Sequence, residues 1–185
     1  MARVGVLALQ GDFEAHCKAL AEAGAEVVAV RTAAELDAVD GLVIPGGEST
    51  TMLKLLRIEN LFDELKRFGS AKPIFGTCAG AILLARDVMS PSQESLGLMD
   101  IGVERNAYGR QLDSCVTSID FEGEDMEAVF IRAPIIRRVG PGVRVLAEYN
   151  GDPVLAEEGR HMVATFHPEL TRDIRIQKMF LAKLT

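Results

Sequence analysis

The sequence of 185 residues contains few of the residues that metal sites and thiol chemistry require. There are three cysteines, Cys17, Cys78 and Cys115, and their spacings match neither a zinc motif nor a redox pair. There are also only three histidines, His16, His161 and His167. We therefore expect no metal or other cofactor. Any chemistry that pairs a cysteine with a histidine has few candidates.

The chain has fewer basic than acidic residues, and it has no long apolar segment. The chain has 20 Lys and Arg against 27 Asp and Glu, a net charge of −7, which argues against a nucleic-acid partner. No apolar run is long enough to cross a bilayer. The first residues, "MARVGVLALQGD", lack the features of a secretory signal. We expect a cytoplasmic protein with reduced thiols and no membrane partner.

The first half of the sequence alternates between strand-like and helix-like segments. Such alternation predicts an α/β fold with a mostly parallel central sheet flanked by helices. We expect a single domain over residues 1–185. Strands are predicted at 3–9, 26–30, 40–47 and 72–77. Helices are predicted at 11–24, 49–56, 59–68 and 79–89, with a capping box from Thr32 to Glu35.

The second half has a different pattern, with short strands that no helix separates. Part of this region is expected to be antiparallel. Residues 89–111 are the least regular stretch, and a helix at 172–184 closes the chain. The predicted strands are 112–120, 127–131, 143–149, 153–157 and 161–166.

Three turns follow predicted parallel strands: "LQGD", "PGGEST" and "TCAG". Ligands of α/β folds bind at the carboxyl ends of the strands. We therefore expect these turns to meet in space, although they are far apart in sequence.

Cys78 lies in "GTCAG", between a strand and a helix. Small neighbours at such a corner allow the sharp turn that exposes a nucleophile, and a helix amino terminus favours a thiolate. The alternative is a buried structural cysteine, since free cysteines are often interior. For Cys17 and Cys115, which lie in a helix-like and a strand-like stretch, packing is the favoured interpretation.

His167 and Glu169, in "ATFHPEL", supply a base and an acid that can orient it. His167 follows Cys78 by 89 residues, so only the fold can bring the two together. A surface histidine is the alternative. His161 is expected to be solvated, and His16 could face the site or a partner.

The segment "IPGGEST" places two glycines after a strand. Their N–H groups could turn towards an oxyanion, and Glu48 could receive a substrate ammonium. A plain turn or a phosphate loop would explain the glycines too, although the Gly-Lys-Ser/Thr ending of a Walker loop is absent.

Taken together, these motifs resemble the class I (triad) glutamine amidotransferases, and within them the glutaminase subunits of pyridoxal 5′-phosphate synthases. The nucleophile elbow "GTCAG" (76–80) and the His-Pro-Glu triplet are common to many amidotransferase domains, whereas "PGGEST", "RNAYGRQ" and "IRAP" indicate the narrower family. The matching segments are "GVLALQGDFEAH" (5–16), "LVIPGGEST" (42–50), "FGTCAGAILLA" (75–85), "ERNAYGRQLDS" (104–114), "FIRAP" (130–134) and "FHPEL" (166–170).

The resemblance implies a function and a role for each matching residue. Cys78 would attack the carboxamide of L-glutamine, with His167 as base and acid and Glu169 as its orienting group. Ammonia would pass to a synthase subunit within a large hetero-oligomer that makes pyridoxal 5′-phosphate. The other implied roles are substrate binding by Gly46, Gly47, Glu48, Arg105, Ile131 and Arg132, oxyanion binding by the N–H groups of Gly47 and Ala79, and a partner interface or activation role for Gln10, Gly11 and His16.

Two other functions stay open at this point. Another cysteine enzyme or stress protein could carry the elbow, but such proteins commonly place histidine directly after the cysteine, where this chain has Ala79. A catalytically silent scaffold that only binds and regulates its partner is the second alternative.

Overall fold

The computed structural model describes residues 1–106 and 114–184 of the chain. The helices in these ranges are α1 Phe13–Glu22, α2 Ala33–Asp37, α3 Ser49–Ile58, α4 Phe62–Ala71, α5 Ala79–Leu84 and α6 Arg175–Leu181. The strands are β1 Arg3–Leu7, β2 Glu26–Val30, β3 Gly41–Ile44, β4 Ile74–Thr77, β5 Ala85–Met89, β6 Met99–Glu104, β7 Ser114–Phe121, β8 Glu124–Ile131, β9 Ile135–Val139, β10 Arg144–Tyr149, β11 Asp152–Glu158 and β12 His161–Ala164.

Within the described residues, a seven-stranded sheet has the order β10-β11-β12-β4-β3-β1-β2. The strands from β12 to β2 are parallel to their neighbours, and β10 and β11 add an antiparallel edge. The predicted α/β fold with a mostly parallel sheet is confirmed. A three-stranded sheet, β5-β6-β9, and the hairpin β7-β8 accompany it.

The central sheet is buried on both faces, and successive strand residues point to opposite sides. In β3, Leu42 and Ile44 pack with α3 and α4, whereas Val43 faces the other core. That second core contains the aromatic side chains of Phe75 and Phe180, whose ring centroids are 5.7 Å apart. Helices on both faces therefore leave the carboxyl ends of the parallel strands as the accessible edge.

The start of two helices is set by local side-chain capping. Thr32 and Glu35 form the predicted capping box of α2. Helix α3 begins at Ser49, but its cap is Glu48, whose carboxylate accepts hydrogen bonds from the backbone N–H groups of Thr50 and Thr51. The helix predicted at 172–184 begins later, at Arg175.

The prediction of one helix over 79–89 is wrong, because α5 ends at Leu84 and β5 follows directly. A register shift between Ala85 and Asp87 leaves both Ala85 and Val88 buried, a spacing of three that resembles a helical face. Strands β6 and β9 were not predicted. The predicted residues 112 and 113, and most of the motif at 104–114, lie outside the described residues.

Candidate functional site

Cys78 occupies a sharp corner between β4 and α5. Its backbone has φ 50° and ψ −105°, a strained conformation for a residue with a side chain. The Cys78 N–H donates to the carbonyl of Ala164 at 2.8 Å, which ties the corner to β12. A Cβ on Gly76 would lie 2.5 Å from the carbonyl carbon of Gly80, so this tight turn requires glycine there.

His167 and Glu169 lie on the short segment after β12. The N–H of His167 donates to the carbonyl of Val129 at 2.8 Å, and its Nδ1 is 2.7 Å from Oε1 of Glu169. An ionised carboxylate can only accept, so Nδ1 carries the proton and Nε2 is directed away from Glu169. Nε2 forms no hydrogen bond of normal length with the described residues.

Cys78 and the imidazole ring of His167 are neighbours across Gly46. A Cβ on Gly46 would be 2.5 Å from Cε1 of His167 and 3.3 Å from Cβ of Cys78. Both side chains line one cavity of about 250 Å³, together with Asp12 and Glu169. The fold thus brings the cysteine to the histidine and the carboxylate, which lie about 90 residues further along the chain.

The charges of these groups are strongly coupled. Burial alone would lower the pKa of His167, but its interactions with Cys78 and Glu169 prevail and raise the pKa to about 10. Burial would raise the pKa of Glu169, yet hydrogen bonds from His16 and His167 lower it to about 2. At neutral pH the site therefore favours an imidazolium beside a carboxylate.

A second cavity, of about 360 Å³, also borders Cys78. Its volume is in the range of small-ligand sites. Residues of all three predicted turns line it, among them Gln10, Gly47, Glu48 and Ala79, and Arg105 and Arg132 line it as well. The expectation that the turns meet at the strand ends agrees with this arrangement.

Gln10 and Gly11 pack directly against the glycine turn. The Glu48 N–H donates to Oε1 of Gln10 at 3.0 Å, and the same amide lies beside Gly47. Gly11 has φ +89°, and a Cβ there would collide with the carbonyl oxygen of Gly46. Only glycine permits this close approach of the first and second turns.

Glu48 and Arg105 form the charged end of the larger cavity. Burial raises the pKa of Glu48, but hydrogen bonds from Thr51 and Thr50 prevail and lower it to about 2. Nη2 of Arg105 is 3.8 Å from Oε1 of Glu48 and donates to Oγ1 of Thr50 at 2.9 Å. A carboxylate and a guanidinium side by side match the two charges of a free amino acid.

Ile131 and Arg132 border Cys78 from the end of β8. The Ile131 carbonyl oxygen is 3.8 Å from Sγ of Cys78, within the range of a weak thiol hydrogen bond. Arg132 has φ 45° and lines both cavities. Both residues are exposed, so they form the rim of the site.

The other two histidines are buried. The expectation that His161 is solvated is wrong, because it is only 7% exposed and its Nδ1 accepts from the N–H of Ile74 at 3.2 Å. Burial and the charge of Arg160 lower its pKa, so it is neutral at pH 7. His16, 2% exposed, faces inward towards Thr77 and Glu169 and presents no side chain to a partner surface.

Three residues of this site were not identified from the sequence. Asp12 is the N-cap of α1, and it also lines the smaller cavity. The hydroxyl of Thr77 forms a hydrogen bond with His16, and that of Thr50 accepts one from Arg105. No sequence signal distinguishes these hydroxyls from ordinary ones, since their role depends on neighbours that are distant along the chain.

Residues 1–106 and 114–184 contain no cluster of three or more His, Cys, Asp or Glu side chains arranged to hold a metal ion. Over the same ranges, no helix has both the length and the apolar character needed to cross a bilayer.

The amino-acid sequence is similar to those of known proteins along almost its whole length. The family model of the SNO glutamine amidotransferase family matches residues 6–185. The pyridoxal 5′-phosphate synthase subunit PdxT of Solibacter usitatus is 62% identical, covering 100% of both chains. The subunit of the same name from Koribacter versatilis is 54% identical, over 97% of this chain and 94% of its own.

Solved structures give the same result. A crystal structure of a glutamine amidotransferase superimposes with a TM-score of 0.92 at 45% identity, covering 98% of each chain. The sequence, the fold and the arrangement around Cys78 thus agree, and the chain belongs to the SNO glutamine amidotransferase family.

Proposed function

We propose that this chain hydrolyses L-glutamine to L-glutamate and ammonia, and that the ammonia supplies a pyridoxal 5′-phosphate synthase in vitamin B6 biosynthesis. The observation that carries the proposal is the convergence of Cys78, His167 and Glu169 at the carboxyl ends of parallel strands. The glutaminase is proposed to occupy residues 1–185 as one cytoplasmic domain.

Acylation begins with the sulfur of Cys78, whose proton passes to Nε2 of His167. The pKa of His167, raised to about 10, favours this imidazolium. The thiolate attacks the carboxamide carbon of glutamine and forms a tetrahedral intermediate. As that intermediate collapses, His167 protonates the departing nitrogen, ammonia leaves, and a thioester joins glutamate to Cys78.

Deacylation uses the same groups in the opposite direction. Neutral His167 takes a proton from water, which attacks the thioester carbon. Collapse of the second intermediate releases glutamate and returns the proton to the Cys78–His167 pair. Glu169 keeps Nδ1 protonated throughout, so Nε2 is always the nitrogen that exchanges protons with the reacting atoms.

The larger cavity is the proposed glutamine site. Glu48 would receive the α-ammonium and Arg105 the α-carboxylate, which leaves the carboxamide near Cys78. Gly46, Ile131 and Arg132 would close the pocket around the substrate. The N–H groups of Gly47 and Ala79 would bind the developing oxyanion. Gln10 and Gly11 would transmit partner binding to this turn, since both pack against it.

The proposed partner is the synthase subunit, within a large hetero-oligomer. Free ammonia becomes ammonium in neutral water and loses its nucleophilicity. Direct transfer between subunits, along a path shielded from bulk water, would prevent this loss. L-Glutamine is the only small substrate proposed for this chain, with no metal or organic cofactor.

The experiment compares glutamate release by the wild type, Cys78→Ala and Cys17→Ala, each mixed with the cognate synthase subunit. Cys78→Ala should abolish release, whereas Cys17→Ala, which changes a half-buried cysteine outside the site, should keep it. Circular dichroism verifies that both variants fold. Full activity of Cys78→Ala would overturn the proposal, and an inactive wild type would favour the silent scaffold.

A further inference from the structure

One oxygen of Glu169 is contacted by two histidines. Oε1 is 2.7 Å from Nδ1 of His167 and 3.4 Å from Nε2 of His16. The second oxygen, Oε2, is buried and has no hydrogen-bond partner among the described residues. The orientation of this carboxylate therefore depends on its two contacts through Oε1.

The proton of His16 can be placed from its neighbours. Nε2 lies 3.1 Å from Oγ1 of Thr77 as well as near the carboxylate. An unprotonated Nε2 would direct a lone pair towards an anionic oxygen, which is unfavourable in a buried site. Nε2 therefore carries a proton, shared between the Thr77 hydroxyl and Glu169.

The position of His16 connects three separate elements of the fold. It lies on α1, and its two partners lie at the end of β4 and on the segment after β12. Thr77 directly precedes Cys78, and Glu169 holds His167. His16 is 2% exposed, so no water competes for these contacts from the surface.

We propose that His16 is a positioning residue for glutamine hydrolysis: its Nε2 fixes the Glu169 carboxylate that orients His167 and ties it to Thr77, next to the nucleophile. This inference deepens the proposed function and rests on it. His16 touches neither the substrate nor the reacting sulfur. It acts through Glu169, and its removal lets a carboxylate with one unpartnered oxygen rotate away from His167.

The test uses two amides that differ in reach. The amide nitrogen of His16→Gln can occupy the place of Nε2, whereas that of His16→Asn is one methylene too short. Leu20→Ala is the control for packing, because Leu20 is buried one turn further along α1 and forms part of the core. Each variant is assayed with the synthase subunit for kcat and KM, and its melting temperature is recorded.

A second measurement does not require turnover. The rate at which iodoacetamide alkylates Cys78 is followed by mass spectrometry of its peptide, with Cys17 and Cys115 as internal references. This rate reports how much thiolate the imidazolium of His167 supports. The alkylation rate separates the role of His16 from the proposed glutaminase activity. If the wild type releases no glutamate, the proposed function is refuted, while the alkylation rates of the variants still test His16.

His16→Asn should lose about 10²-fold in kcat, the cost of misplacing a catalytic group by about 1 Å, with little change in KM. Its Cys78 alkylation should slow, and His16→Gln should restore most of both quantities. Leu20→Ala should melt earlier but keep kcat below its melting temperature. Equal behaviour of the Gln and Asn variants, or losses that follow the melting temperature across all three, would overturn the assignment.

Discussion

Replacement of Glu169 by glutamine removes one charge from the buried cluster and keeps the shape of the side chain. The Glu169 side chain is 1% exposed and receives contacts from two histidines, so its loss cannot be compensated by solvent. The amide can still accept a hydrogen bond but cannot neutralise an imidazolium. We expect Glu169→Gln to weaken both the folded state and the catalytic ion pair.

The size of the effect follows from the pKa of the carboxyl. Burial would raise it, but hydrogen bonds from His16 and His167 lower it from 4.5 to about 2. That difference corresponds to about 3 kcal/mol of unfolding free energy. In a protein of this size, such a loss lowers the melting temperature by about 6–12 °C.

The free energy of unfolding should fall both at acidic and at alkaline pH, for a different residue in each case. The pKa of Glu169 is lowered when folded, so its contribution is present above about pH 4.5 and disappears as the pH falls towards 2. The pKa of His167 is raised when folded, so its contribution is present below pH 6.5 and disappears as the pH rises towards 10. The stability difference between the wild type and Glu169→Gln should therefore be largest between pH 4.5 and 6.5.

Urea unfolding of both proteins across the pH range from about 3 to 9 measures this difference directly. Glu127→Gln is the control, because Glu127 is an exposed carboxyl on β8 and far weaker effects are expected at the surface. A stability difference that does not vary with pH, or that grows towards pH 3, would refute the reasoning. Such a result would mean that the glutamine merely packs badly.

Two further predictions concern the turns. Gly80→Ala should cost about 1–3 kcal/mol of stability and abolish glutamate release, because its Cβ would collide with the Ile44 carbonyl oxygen. Urea unfolding measures this loss, with Gly142→Ala as the control because the Cβ there would meet the Glu158 side chain and not backbone. Equal losses of stability in the two variants would contradict the prediction. Glu48→Ala should lose about 1 kcal/mol of stability, because α3 loses its N-cap. Glu48→Gln should keep that stability, but both variants should raise KM for glutamine, and an unchanged KM would count against the ammonium site.

The first half of the fold was predictable because its signals are local. The parallel strands β1 to β4 are apolar along most of their length, since both faces of the sheet are covered. Each is followed by a glycine, a capping residue or a helical pattern. The boundaries differ from the prediction by a few residues, as at α4, which begins at Phe62 and not at 59.

The second half was less predictable because its strands depend on partners distant in sequence. β6 pairs with β5 on one side and β9 on the other, and the chain between β6 and β9 includes the whole β7-β8 hairpin. The irregular register of β5 also produces a helix-like burial pattern. Neither the pairing nor the bulge leaves a pattern in the sequence that indicates a strand.

The contact between the first and second turns could not be derived from either turn alone. "LQGD" and "PGGEST" each appear as an ordinary glycine turn. The structure places the Gln10 amide against Gly47 and the α-carbon of Gly11 against the Gly46 carbonyl. Sequence reasoning identified Gln10 and Gly11 through the family resemblance, whereas their steric dependence on the glycine turn is a property of the folded chain.

The three histidines show how the environment decides the chemistry of one residue type. All are buried, so burial does not distinguish them, and burial alone would lower the pKa of an imidazole. For His161, burial and the charge of Arg160 prevail, so its pKa is lowered. His167 instead faces Glu169 and Cys78, and its pKa is raised. Compared with His161, His167 can therefore hold the proton that the thiol gives up because Glu169 and Cys78 lie beside its ring.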